Sequence, residues 1–95
     1  MNVTMSSNSI TIEGNIKSVS DYQDIKTSIT NLVQDHKEIN VIIKDSLSIT
    51  SSVIGYLNKL VLKDGIKISM RVGDAQLMDL LEDLNLKTVF NARKI

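Results

Sequence analysis

Apolar residues along this chain recur with two alternating periods, and the switches between them mark out its elements. Val3 and Met5 alternate with polar neighbours, which predicts a short edge strand. Ile10, Ile12 and, past Gly14, Ile16 continue the period of two, so Ser9–Glu13 is predicted as a strand. From Ser20 to His36 the period becomes helical, with Tyr22, Ile25, Ile29, Leu32, Val33 and His36 on one face. Ser20 and Gln23 have the spacing of a capping box at its start. Ile39–Lys44 (INVIIK) then carries three consecutive β-branched residues, Val41, Ile42 and Ile43, as suits a strand covered on both faces.

The second half repeats the alternation. Ser51–Lys63 places Val53, Leu57, Leu60 and Val61 on a helical stripe with Ile54 beside it, and Gly65 stands where a left-handed C-cap residue is expected. In Lys67–Val72, Ile68, Met70 and Val72 alternate with Lys67, Ser69 and Arg71. Gly73-Asp74 offers a turn and an N-cap. Leu77, Leu80, Leu81 and Leu84 form the stripe of a third helix that closes near Asn85, with Met78 as a further core residue, and Thr88–Ala92 is predicted as a last strand. This order predicts an α/β fold in one domain, residues 1–95. Its mixed central sheet has four to five strands, largely parallel after the N-terminal ones, with alternating amphipathic helices and right-handed crossovers.

Composition narrows the function. Eleven basic and eleven acidic residues cancel, so the basic excess that drives nucleic-acid association is missing. Tyr22, Tyr56 and Phe90 are too few aromatics for a base-stacking platform. Without cysteine there is no disulfide or thiolate chemistry. No apolar run reaches membrane-spanning length and the N-terminus lacks a signal-peptide pattern, so a cytoplasmic location is expected, with no membrane insertion. No phosphate-binding glycine loop, nucleophile elbow or metal-ligand spacing appears. Asp21, Asp24, Asp35 and Glu38 are spread around a helix and its exit, Asp79, Glu82 and Asp83 read as a solvated helix face, and His36 reads as structural or solvated. No catalytic residue, metal or cofactor is expected. A small hydrolase using Ser52 as nucleophile would lack a general base at any recognisable spacing.

The chemistry-bearing stretch is the passage from Ile39–Lys44 through Asp45-Ser-Leu-Ser-Ile-Thr50 into the helix at Ser51. It sits at the carboxyl end of a predicted parallel strand, where α/β sheets meet ligands and partners. It also brings the hydroxyls of Thr50, Ser51 and Ser52 to a helix start, where free N–H groups favour an anion. Ser and Thr commonly cap such starts. Thr50 or Ser51 is the better cap, which leaves Ser52 to face outward.

The strand–loop–helix segment INVIIKDSLSITSSVIGYLNKL, the early Gly14 and the stretch GIKISMRVGDAQLMDLLEDLNLKTVF together resemble the STAS domains, the anti-sigma factor antagonists of bacterial regulatory systems. The resemblance spans nearly the whole chain and lies in the order and spacing of the elements. In the family motif Asp-Ser-Ser-Gly the second Ser is phosphorylated. Thr50 stands here at the Asp position, Ser51 and Ser52 at the two Ser positions and Val53 at the Gly position. The resemblance implies partner switching in signal transduction and transcription regulation, with Ser52 as the phosphorylated residue ahead of Ser51 and Thr50. It implies that the unmodified domain binds an anti-sigma factor or a serine kinase of the GHKL type and that a PP2C-like phosphatase resets it. The partner surface would comprise Asp45, Ser46, Ser48, Thr50, Ser51, Ser52, Gly55, Tyr56, Asn58 and Lys59. The alternative is a non-phosphorylated STAS scaffold subunit of a lipid-transport ATPase or a stress-sensing assembly.

Overall fold

The computed structural model describes residues 1–95. Five strands form one sheet: β1 (Asn2–Ser6), β2 (Ser9–Glu13), β3 (Glu38–Ile43), β4 (Lys67–Val72) and β5 (Ala92–Lys94), lying side by side in chain order. β1 runs antiparallel to β2, and every later neighbour is parallel. The helices α1 (Val19–Asp35), α2 (Ser51–Leu62) and α3 (Ala75–Asp83) make the three crossovers.

Strand neighbours that follow chain order, joined by right-handed crossovers, put all three helices on the same side of the sheet. Burial agrees. Ile10 and Ile12 of β2, Ile39, Val41 and Ile43 of β3, and Ile68, Met70 and Val72 of β4 are all buried beneath Ile25, Ile29, Leu57, Leu60, Leu77 and Leu81 of the helices. The intervening residues Thr11, Ile42, Arg71 and Arg93 lie side by side across the other face, and none is buried. The expectation that β3 is covered on both faces is thus corrected. Ile42 is a half-buried aliphatic flanked by Thr11 and Arg71, on a face otherwise polar enough to stay wet.

Three other expectations shift. α1 begins at Val19, and its capping box is Ser18–Asp21 rather than Ser20–Gln23. The Ser18 hydroxyl accepts from the Asp21 N–H at 3.0 Å, and the Asp21 carboxylate accepts from the N–H groups of Ser18 (3.1 Å) and Lys17 (3.0 Å). An ionised Asp gathers two backbone donors there, which a neutral Gln does less strongly. The last strand starts at Ala92, not Thr88. Residues 87–91 form a helical turn that seats the fully buried Phe90, and Asn91, at φ 51°, redirects the chain into β5. Leu84 leaves the stripe of α3 and is exposed, while Met78 is buried. Gly65 takes the expected left-handed conformation after α2 (φ 68°), and Asp74 caps α3 by accepting from the Gln76 and Leu77 N–H groups.

The backbone donors of Lys17 and Ser18 hold the Asp21 carboxyl below its ordinary range. Its folded pKa lies below its unfolded one, so its contribution is complete above the ordinary Asp pKa, about 4. That contribution fades as pH falls through the folded value. Ser18→Ala is expected to cost about 1 kcal/mol at neutral pH. In urea titrations the stability gap between wild type and Asp21→Asn should narrow from pH 7 to pH 3. A gap that is constant over that range contradicts the box.

Candidate functional site at the carboxyl end of the sheet

The loop after β3 is fastened to the loop after β2. Asp45 Oδ1 accepts from the Gly14 N–H at 2.7 Å, Ser46 Oγ accepts from the Ile16 N–H at 3.0 Å, and Asn15 Oδ1 accepts from the Leu47 N–H at 3.0 Å. Ser46 Oγ also donates to the Ser48 carbonyl at 2.6 Å. Each loop thereby satisfies backbone groups of the other, which water would otherwise have to reach. Gly14 makes the turn possible: its φ is 90°, and a Cβ there would stand 3.1 Å from Met1 Cα.

Two residues of the expected partner surface are therefore internal fasteners. Ser46 is fully buried and the one polar residue among the buried set, so it presents nothing to a partner. Asp45 stays exposed, but one carboxylate oxygen is committed to Gly14. Ser46→Ala would leave the Ile16 N–H buried without an acceptor, at a cost of about 1–3 kcal/mol. The urea midpoint should fall with the slope of the transition unchanged. An unchanged midpoint would mean that Ser46 does not join the loops.

Downstream, Thr50 caps α2: its hydroxyl accepts from the Val53 N–H at 3.3 Å and its carbonyl from the Ile54 N–H at 3.0 Å. The Ser51 and Ser52 hydroxyls are exposed and make no hydrogen bond within the chain, and their backbone N–H groups open the helix without a partner. Val53, at the next position, is buried.

Ser52, Gly55, Tyr56 and Lys59 follow one another at helical spacing and share a face. No atom lies within 4 Å of a Cβ built at Gly55. Lys59 is exposed, 3.9 Å from Asp64. Tyr56 lies along the seam between α1 and α2: its hydroxyl is 2.8 Å from Thr30 Oγ1, and Lys26 Nζ lies 6.0 Å from its ring centroid. Ser48 is exposed and Asn58 half-buried.

Compared with protein-family models, curated proteins and solved structures, the chain matches none of them. Sequence reasoning missed Asn15 as a fastener and Leu47, which stands 47% exposed on the tip of the fastened loop. A lone Leu between two Ser residues carries no periodicity to reveal its direction. No group of three or more His, Asp or Glu side chains could hold a metal ion, and no helix is long and apolar enough to cross a membrane.

Proposed function

We propose that this chain is a STAS-like regulatory domain of the bacterial cytoplasm that acts by binding a protein partner, an anti-sigma factor or a serine kinase, and that phosphorylation of Ser52 releases that partner. It is a binding module and not an enzyme. One observation carries this reading: the Ser52 hydroxyl is exposed and unbonded at the second position of α2, because Thr50 has taken the cap. A phosphate there would add about −1.5 to −2 charges. The two open N–H groups and the positive end of the helix dipole would accept them, so the fold would survive while an apposed partner met a desolvated charge.

The two departures from the family motif fit this reading. Thr50 does the capping that an Asp at that position could do. Val53 directs its bulk into the core, 1% exposed, and not over Ser52. Mass mapping after incubation with a cognate serine kinase and ATP is expected to place one phosphate on Ser52, with none on Ser52→Ala. A phosphate placed elsewhere, or none at all, leaves the domain as a scaffold subunit that binds through the same face without a switch.

A further inference from the structure

The two edges of the sheet are unlike. β5 is three residues long and carries Arg93 and Lys94, a short, charged edge of the kind that discourages further pairing. β1 is five residues long (NVTMS), has no charge and no proline, and pairs with β2 alone. No backbone hydrogen bond outside the β1–β2 ladder reaches it. A groove lined by Val3, Asp24, Thr27 and Ser28 stays open between this edge and α1. Met5 is 45% exposed on the strand.

The hairpin fixes which groups the edge offers. Ser6 pairs with Ser9 across a two-residue turn, with Ser7 at φ 52°. The pair flanking such a turn is hydrogen-bonded, and bonded pairs alternate along an antiparallel ladder. Asn2, Thr4 and Ser6 therefore bond toward β2, and the N–H and C=O groups of Val3 and Met5 point outward.

We propose that the domain pairs with a second copy of itself through β1, antiparallel, with Thr4 opposite Thr4 across a two-fold axis. That register is the one in which the outward groups of Val3 meet those of the second copy's Met5 and the reverse. It joins two five-stranded sheets into one. On the helix side of the sheet each Met5 side chain lies against the other copy's Val3, which covers the exposed methionine. On the open side the central Thr4 pair is uncharged. A second copy brings the matching apolar side chains and outward pairs by symmetry, without a foreign strand having to supply them. Dimerisation through β1 is independent of Ser52, which lies on α2, and leaves both switch surfaces outward.

Sedimentation equilibrium of the whole chain should show a concentration-dependent rise from the 10.6 kDa of one chain to twice that mass. Met5→Lys places a charge in each apolar pair, and symmetry repeats the loss, so self-association should weaken about tenfold or more with the far-UV circular dichroism unchanged. The chain has no cysteine, so Thr4→Cys introduces a single thiol at the axis. In a non-hydrogen-bonded antiparallel pair the Cα atoms stand about 4.5 Å apart, within disulfide reach. Mild oxidation should link Thr4→Cys into dimers far faster than Thr88→Cys, on the exposed turn before β5. A mass that stays at one chain throughout overturns the proposal. So does a Met5→Lys association constant equal to wild type, or a dimer in which Thr4→Cys links no faster than Thr88→Cys.

Discussion

Gly73→Ala is expected to destabilise the domain by about 3 kcal/mol or more. The residue follows β4 and comes so close to the chain after β3 that a Cβ would overlap the Lys44 carbonyl oxygen and stand 2.8 Å from its carbon. Neither side can give. The Gly73 N–H donates to the Ile43 carbonyl at 2.8 Å, and the Ile43–Val72 pairing just before it belongs to the central β3–β4 ladder. Gly73 also accepts from Lys94 Nζ at 2.7 Å and leads directly into Asp74, the cap of α3. Moving the backbone aside would therefore strain β3, β4 and α3 together. In a domain of this size the thermal midpoint should fall by about 12 °C or more. The same substitution at Gly55, in the open on α2, should instead raise the midpoint, through a gain of about 0.5–1 kcal/mol in helix propensity. Calorimetry of the two variants side by side tests the packing. A drop of only a few degrees for Gly73→Ala would show that the β3 and β4 ends do not press together as described.

The second large effect concerns binding and leaves stability almost untouched. Phosphorylated Ser52 would sit beside the unpartnered N–H groups of Ser51 and Ser52 at the start of α2. A charge at a helix N-terminus stabilises by about 0.3–1 kcal/mol, so the melting temperature should hold or rise slightly. A partner packed over Ser52, Gly55 and Lys59 would have to bury that charge with no cation beside it, because Lys59 stands two turns further along α2, near Asp64. Leaving a charge buried and unpaired in an interface costs about 2–5 kcal/mol, which is about thirtyfold or more in Kd. Ser52→Asp carries less charge and should reproduce part of the loss. Ser52→Ala should bind like wild type.

The order of the elements was legible because each has a clean period: two in Ile10–Ile12 and Ile68–Val72, helical in Ile25–Leu32 and Val53–Leu60. The parallel sheet followed from the alternation. What could not be read was which of two similar local patterns wins. Ser18-x-x-Asp21 and Ser20-x-x-Gln23 have the same spacing, and the carboxylate prevails by gathering backbone donors. The run Val41-Ile42-Ile43 could not reveal that one sheet face is open, because coverage depends on where the crossovers go. At the site, helix-start chemistry made legible that Thr50 or Ser51 would cap and leave Ser52 outward, but not which of the two caps; that role falls to Thr50. The burial of Ser46 was not, since its partner Ile16 lies 30 residues away and no local pattern links them.

On the proposed reading, Ser52 gates a protein interface on an unchanged fold. The most direct measurement is the Kd of a cognate serine kinase or anti-sigma factor for three forms of the domain: unmodified, stoichiometrically phosphorylated at Ser52, and Ser52→Ala, with the melting temperature of each recorded. A Kd raised about thirtyfold or more by the phosphate is expected, with near-equal values for the other two forms and melting temperatures within a few degrees of one another. Equal affinity of all three forms, or loss of binding that coincides with unfolding of the phosphorylated domain, would contradict that reading.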